Sequence, residues 1–488
     1  MSVFWGADAL LAVDRAAVME SRSRRAIRSC EDRPKQRGSE PPEQEKMSGS
    51  EEIELATQPP AGLCGAVLPV GMATAVAMWT AGYIARLPFV EASPVVLFFV
   101  LVAVLLMGGR FAASRHSNRI RAGIVCGATA AILDLLVLGS FVIPEGQEVS
   151  IVRMISLGMS FLFFIAICIS LAVLGAASRK AGSSTRDQGV ELMAWTAFSA
   201  TLVLVGIGGL VTSEEAGLAV PDWPDSFGGN MFLLPLSRMT GAIYYEHAHR
   251  LFGALVGLVT VSLAVYLWCS SSSRWLKALA ALAVVQVIVQ GIFGGLRVTE
   301  VDSTTVIDGT VSQWDESSLS LLLRVVHGVD GQFFLALLAV ILTLSASNWR
   351  TATGGCSDRY DRWGSVVLAL LLSAQLLLGA LARHISRDWV LWHLGGGFVV
   401  LAVVVFLGVR GGLPSMAAPR ARIGVLLVIA TTGQVALGFA TLAVTSGQVR
   451  IASSGVTETL VATTHQTLGA VILALAASLL CWAFRPVR

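Results

Sequence analysis

Beyond residue 60 the chain alternates long apolar runs with short polar breaks, and most of the runs are too long for strands or ordinary core helices. Twelve approach or exceed the length needed to cross a hydrocarbon layer, about 20 residues of helix. They lie at 63–85, 93–109, 123–143, 153–177, 192–212, 242–268, 277–297, 325–346, 364–383, 390–409, 422–444 and 460–484. The pattern predicts an all-α polytopic membrane protein, because a spanning helix satisfies its own backbone groups. Residues 1–60 break the pattern. "ESRSRRAIRSCEDRPKQRGSEPPEQEK" is charged, polar and proline-containing, and reads as a disordered cytoplasmic tail, with Met47 expected as an alternative start.

Composition agrees: 55% of the 488 residues are hydrophobic and 14% charged, which excludes an ordinary soluble domain. The net charge of +3 matters less than its segregation. Basic breaks (Arg110, Arg115, Arg119, Arg121; Arg179, Lys180, Arg186; Arg274, Lys277; Arg350, Arg359, Arg362; Arg410, Arg420, Arg422) alternate with acidic ones (Glu145, Glu148; Glu214, Glu215, Asp222, Asp225; Asp302, Asp308, Asp315, Glu316). Basic loops stay cytoplasmic, so the acidic loops are expected outside and both termini inside. A bacterial plasma (inner) membrane is the expected setting. The expected surroundings are the lipid bilayer and no nucleic acid. The seven cysteines are scattered without metal-type spacing, and those within apolar runs read as packing residues.

Histidines change the picture. "YYEHAHRLFGALVGLVTV" places Glu246, His247, His249 and Arg250 at the start of an apolar run, and ionisable groups at membrane depth usually mark a site. The last eight runs contain a repeat. One half reads "GIGGLVT", "EHAHRLFGALVG", "QGIFGGLRV", "RVVHGVDGQ"; the other reads "LLLGALAR", "VLWHLGGGFVV", "GQVALGFATLAV", "ATTHQTLGA". Each half has a histidine on its second and fourth helix: His249 and His327, then His393 and His465. All four helices run from outside to inside, so the four imidazoles should share one depth near the outer surface. Histidines on neighbouring helices could then reach the two faces of one iron macrocycle, for which imidazole is a common axial ligand. His116, His247 and His384 fall outside the pattern and read as non-ligands, the first in an inner loop and the last in an outer loop. The domains expected are the tail at 1–60, an accessory four-helix segment at 61–180, a substrate-haem bundle at 181–350 and a cofactor-haem bundle at 351–488.

Residues 190–486 resemble the haem A synthase family, membrane oxygenases that convert haem O to haem A. "GGLVTSEEAGLAVPDWPDSFG" resembles the family's first outer loop, "EHAHR" its Glu-x-x-His-Arg motif, and His327, His393 and "THQTLGA" fall where its other histidines fall. The resemblance implies two successive hydroxylations of one ring methyl and loss of water to leave a formyl group. It implies that Glu246, His249 and His327 serve the substrate haem O, and that His393 and His465 are the axial pair of a haem B cofactor. Glu246 would relay protons or stabilise positive charge; its alternative is a salt bridge to Arg250 or another outer arginine. A haem O synthase as supplier and an unknown electron donor are the implied partners, and a homo-oligomer stays open. Two departures stand out. Many bacterial members carry a cysteine pair in the first outer loop where this chain has Val220, and the segment 61–180 lies outside the eight-helix pattern. A bis-histidine dihaem b-type cytochrome that only transfers electrons is the alternative function.

Overall fold

The computed structural model describes residues 61–138, 151–271, 273–307, 310–352, 358–411, 418–445 and 455–485. The tail at 1–60 and the acidic pair Glu145 and Glu148 lie outside them. Within the described residues, twelve helices are long and apolar enough to cross a membrane. They are α1 (Leu63–Ala85), α2 (Pro94–Ala113), α3 (Arg119–Leu138), α4 (Ile151–Ala177), α5 (Arg186–Ser213), α6 (Gly241–Ser270), α7 (Arg274–Thr299), α8 (Ser318–Ser345), α9 (Arg359–His384), α10 (Trp389–Gly411), α11 (Ala418–Thr445) and α12 (Val456–Ala483). The protein is an all-α, multi-pass membrane protein.

Several helices begin one or two turns before their apolar run, because polar caps start them in water. At α5, Thr185 and Gln188 form a reciprocal capping box. Ser317 caps α8 through the Ser320 amide, and Asp358 caps α9 through the Asp361 amide. His384 is the last residue of α9, not a loop residue. The acidic break between α7 and α8 departs further from expectation. It forms an antiparallel hairpin, β1 (Val301–Ile307) with β2 (Thr310–Glu316), with two register shifts. The signal was present in the sequence: Asp308-Gly309 is a strong hairpin-turn pair.

The last eight helices pack as two four-helix rings. Each neighbour touches the next in the order α5–α6–α7–α8 and α9–α10–α11–α12, and α8 and α12 close their rings on α5 and α9. A seam of Leu335, Ala339, Ala470 and Ala474, backed by Phe198 and Leu202, joins the rings through α8, α12 and α5. The accessory helices α1–α4 share one continuous core with the first ring. An aromatic cluster docks them on the helix that carries "EHAHR". Tyr83 stacks on Tyr244 at 5.4 Å, its carbonyl accepts the Tyr244 hydroxyl at 2.6 Å, and Trp79 meets Phe252 edge-on at 5.6 Å. Residues Pro59–Arg488 form one compact unit.

Candidate functional site

His249 lies on α6 and His327 on α8, which stand opposite each other in the first ring rather than side by side. The sequence reading had assumed neighbouring helices. His393 on α10 and His465 on α12 stand opposite in the second ring. Diagonal placement sets each pair between the four helices of its ring. The ring centres of His249 and His327 are 6.2 Å apart with planes at 84°; those of His393 and His465 are 6.2 Å apart at 81°.

That separation tests whether a haem iron fits. A metal–imidazole bond of about 2 Å, plus about 1 Å from ring nitrogen to ring centre, counted on both sides, gives about 6 Å for two axial imidazoles. Both pairs match. Among the described residues no group of three or more His, Cys, Asp or Glu could hold a bare metal ion.

The histidines are held by a local pattern that the sequence reading missed. Each packs against a glycine of the preceding helix. A Cβ added at Gly208, Gly294, Gly379 or Gly438 would lie 3.2, 3.2, 3.0 or 3.2 Å from Cε1 of His249, His327, His393 or His465. Four positions before three of these glycines stand Gln290, Gln375 and Gln434; the fourth position is Leu204. The Gln375 carbonyl lies 3.1 Å from His393 Nδ1, an outer-shell bond that orients an imidazole and leaves Nε2 for a ligand. Gln434 instead places its side-chain amide 3.4 Å from His465 Nε2, a long contact. Four positions after each histidine comes another glycine, as in "HRLFG", "HGVDG", "HLGGG" and "HQTLG". The repeat is therefore a helix hairpin used four times. Only the first hairpin lacks the glutamine, and there Gly253 has no atom within 4 Å of an added Cβ.

Glu246, His247 and Arg250 hold a loop. Glu246 is 4% exposed; its Oε1 accepts from Arg250 Nη2 at 2.7 Å and its Oε2 from the Val220 amide at 2.9 Å. Arg250 also donates to the carbonyls of Val220 at 2.8 Å, Asp222 at 2.6 Å and Asp225 at 3.1 Å. The Asp222 carboxylate then accepts the amides of Phe227 at 2.7 Å and Gly228 at 2.6 Å, both residues having positive φ (+56° and +74°). His247 is fully buried with Nδ1 3.4 Å from Ser226 Oγ, on this loop side of α6. The "PDWP" segment is thus clamped to α6, and a Cβ at Gly295 would run into the Trp223 ring, so the loop also seats on α7. The clamp contains the Glu246–Arg250 salt bridge that was the alternative role for Glu246. Further ion pairs close the same mouth: Arg297 with Glu316 at 3.3 Å, and Arg324 with Glu215 at 2.6 Å and with Glu316 at 3.4 Å. His116 lies in the α2–α3 loop, its ring nitrogen 3.0 Å from the Asn118 amide.

Residues 229–392 match the family model COX15-CtaA, cytochrome oxidase assembly protein. No curated protein and no solved structure matches the chain. The matched stretch is narrower than the 190–486 of the sequence resemblance; it includes Glu246, His249 and His327 and ends one residue before His393. The stretch that contains the first histidine pair is therefore similar to the COX15-CtaA family of cytochrome oxidase assembly proteins.

Proposed function

We propose that this protein is a haem A synthase, oxidising a ring methyl of haem O to a formyl group by successive hydroxylations. The observation that carries the reading is a pair of equally spaced histidine pairs with unequal surroundings: 6.2 Å separations in both rings, and a loop clamped by Glu246 and Arg250 at the mouth of the first. His249 and His327 would take haem O as substrate; His393 and His465 would hold haem B as cofactor. Bound there, haem B supplies one-electron redox chemistry.

The chain's own residues do the rest. Glu246 and Arg250 keep the 220–228 loop over the first mouth and exclude water from it. Glu246 sits one turn before His249 on the same face, which makes it a positioning residue whose carboxylate borders the substrate cleft. Leu204 stands where the other hairpins have glutamine, so that hairpin presents no amide to its histidine's helix, and a Cβ at Gly253 would meet nothing within 4 Å. Acidic loops outside, both termini cytoplasmic and a bacterial plasma membrane complete the reading. A haem O synthase would supply the substrate, and a separate electron donor would serve the haem B.

An electron-transfer cytochrome with two bis-histidine haems is the competing reading, and the equal pair geometry alone would suit it. It has no use for a loop clamped over one haem. The test is pigment analysis of cells that express the chain with a haem O supply. Haem A in the extract supports the synthase; haem B alone supports the cytochrome.

A further inference from the structure

One turn deeper than His327, a polar cluster lies between α7 and α8 that the reading above does not use. Asp330 Oδ1 accepts from Gln286 Nε2 at 2.8 Å, and Oδ2 accepts from Gln290 Nε2 at 2.7 Å. Asp330 follows His327 by three positions and so leaves the same face of α8. All three side chains are half-buried, and among the described residues Asp330 forms no ion pair. A carboxylate in the middle of an apolar helix is costly, and such groups are retained for a task. Tying two helices together would not need one, since the second ring manages without it. The positions equivalent to Asp330 there are Gly396 and Leu468, and those equivalent to Gln286 are Leu371 and Ala430.

The opposite end of the same cleft holds three arginines at the mouth, Arg250, Arg297 and Arg324, each paired with a glutamate. Haem O carries two propionate carboxylates on one edge. On the opposite edge it carries a hydroxyl-bearing isoprenoid chain where haem B has a vinyl group. Carboxylates suit the arginine end, which turns the hydroxyl-bearing edge inward. Three residues of helix rise by about 4.5 Å, comparable to the distance from the iron to the macrocycle's edge.

We propose that Asp330, Gln286 and Gln290 form a hydrogen-bonding subsite for the hydroxyl on the isoprenoid chain of haem O, and that this subsite makes the first ring select haem O over haem B. The proposal rests on the reading that haem O sits between His249 and His327. The hydroxyl donates to the Asp330 carboxylate and can accept from either glutamine amide. A vinyl group does neither, and sites built to bind a hydroxyl reject analogues that lack it. The two amides already satisfy Asp330 when no hydroxyl is present, so the preference is modest, about tenfold.

The test uses the full chain in detergent with His393→Ala and His465→Ala, leaving one pair to titrate, and follows Soret absorbance with haem O or haem B as the probe. The parent is expected to bind haem O about tenfold tighter. Asp330→Leu, which installs the second ring's residue, should bring the ratio to about one by weakening haem O alone. Gln286→Leu should lower it in part. Asp330→Asn keeps the shape and an acceptor, guards against misfolding, and should retain part of the preference. An unchanged ratio in both leucine variants, or equal weakening of both haems, overturns the subsite while leaving the synthase reading intact. Haem binding that survives His249→Ala and His327→Ala overturns the synthase reading, and the subsite with it.

Discussion

His249 faces His327 and His393 faces His465 at the same 6.2 Å, yet the charged contacts around the two pairs differ. In the first ring three ion pairs lie at the mouth, beside the histidines: Glu246 with Arg250, and Glu316 with Arg297 and Arg324; Asp187 pairs with Arg350 at the other end. In the second ring, among the described residues, Arg383 pairs with Glu215 at the histidine end, and a buried cluster lies at the far end. Fully buried Asp361 on α9 pairs with Arg410 of α10 at 3.0 Å and Arg420 of α11 at 2.9 Å, and Asp358 joins Arg410. The far-end charges of the second ring tie its helices to one another. Charges at the mouth tie a loop and also face whatever enters. Two equally spaced histidine pairs thus have different surroundings.

The sharpest way to break this comparison is to exchange the ligands. His249→Ala and His327→Ala should each abolish haem A formation, by about 100-fold or more, and leave the low-spin b-type spectrum of the second ring. His393→Ala and His465→Ala should remove that spectrum. Haem A at the normal rate from either first-ring variant, or an unaltered spectrum in both second-ring variants, would erase the division of labour.

A smaller effect separates the far-end charges from the mouth charges. Asp361→Ala leaves Arg410 and Arg420 facing each other without their shared carboxylate, and breaking a buried pair costs about 3–5 kcal/mol. Thermal scans of the haem spectrum should show the second ring losing its haem at a lower temperature, with the first ring's ligand binding retained before that transition. Identical melting of wild type and variant would mean that the lock does not hold the ring.

At the mouth, Glu246→Gln keeps an acceptor for the Val220 amide but replaces the ion pair with Arg250. A hydrogen bond to a charged group is worth about 1.5–3 kcal/mol. The 220–228 amides should exchange hydrogen faster, and haem A formation should fall by about tenfold, while the second ring's spectrum stays. Protection of those amides at the wild-type level would remove the clamp from the account.

The smallest effect concerns the glycines. Gly379→Ala and Gly294→Ala place a Cβ 3.0 and 3.2 Å from the adjoining imidazole, which must yield by a few tenths of an ångström. Overpacking of this kind costs about 1 kcal/mol, so haem retention should weaken a few-fold, more at Gly379. Full retention of haem in both variants would show that the helix hairpins tolerate a wider spacing than the repeat suggests.

The outline of this protein was legible because membrane solvent makes a blunt demand. A helix that crosses hydrocarbon must be long and apolar, so twelve runs could be counted, and four histidines inside them were conspicuous. Ends were less legible: α5, α8 and α9 start at polar caps that hydropathy does not register. The β1–β2 hairpin was hidden by reading its charges as a plain loop, although Asp308-Gly309 announced it. "HGVDG" was read for its glycines, and Asp330 within it passed unremarked. The spacing of glutamine, glycine and histidine across each hairpin was on the page but looked like ordinary apolar helix until the partner faces were seen.

Composition and spacing by themselves determined that the chain lies in a membrane, that its last eight helices repeat, and that its histidines come in matched pairs, because these follow from one-dimensional periodicity and residue chemistry. Only the tertiary structure decided that paired helices stand diagonally, and that Glu246 and Arg250 clamp the loop at 220–228. It also decided that one cluster of ion pairs gathers at the first ring's mouth and another at the second ring's far end. Those are relations between residues tens or hundreds of positions apart, set by which faces pack together, and lipid-facing and partner-facing surfaces of a membrane helix are too alike in apolarity for sequence to tell them apart.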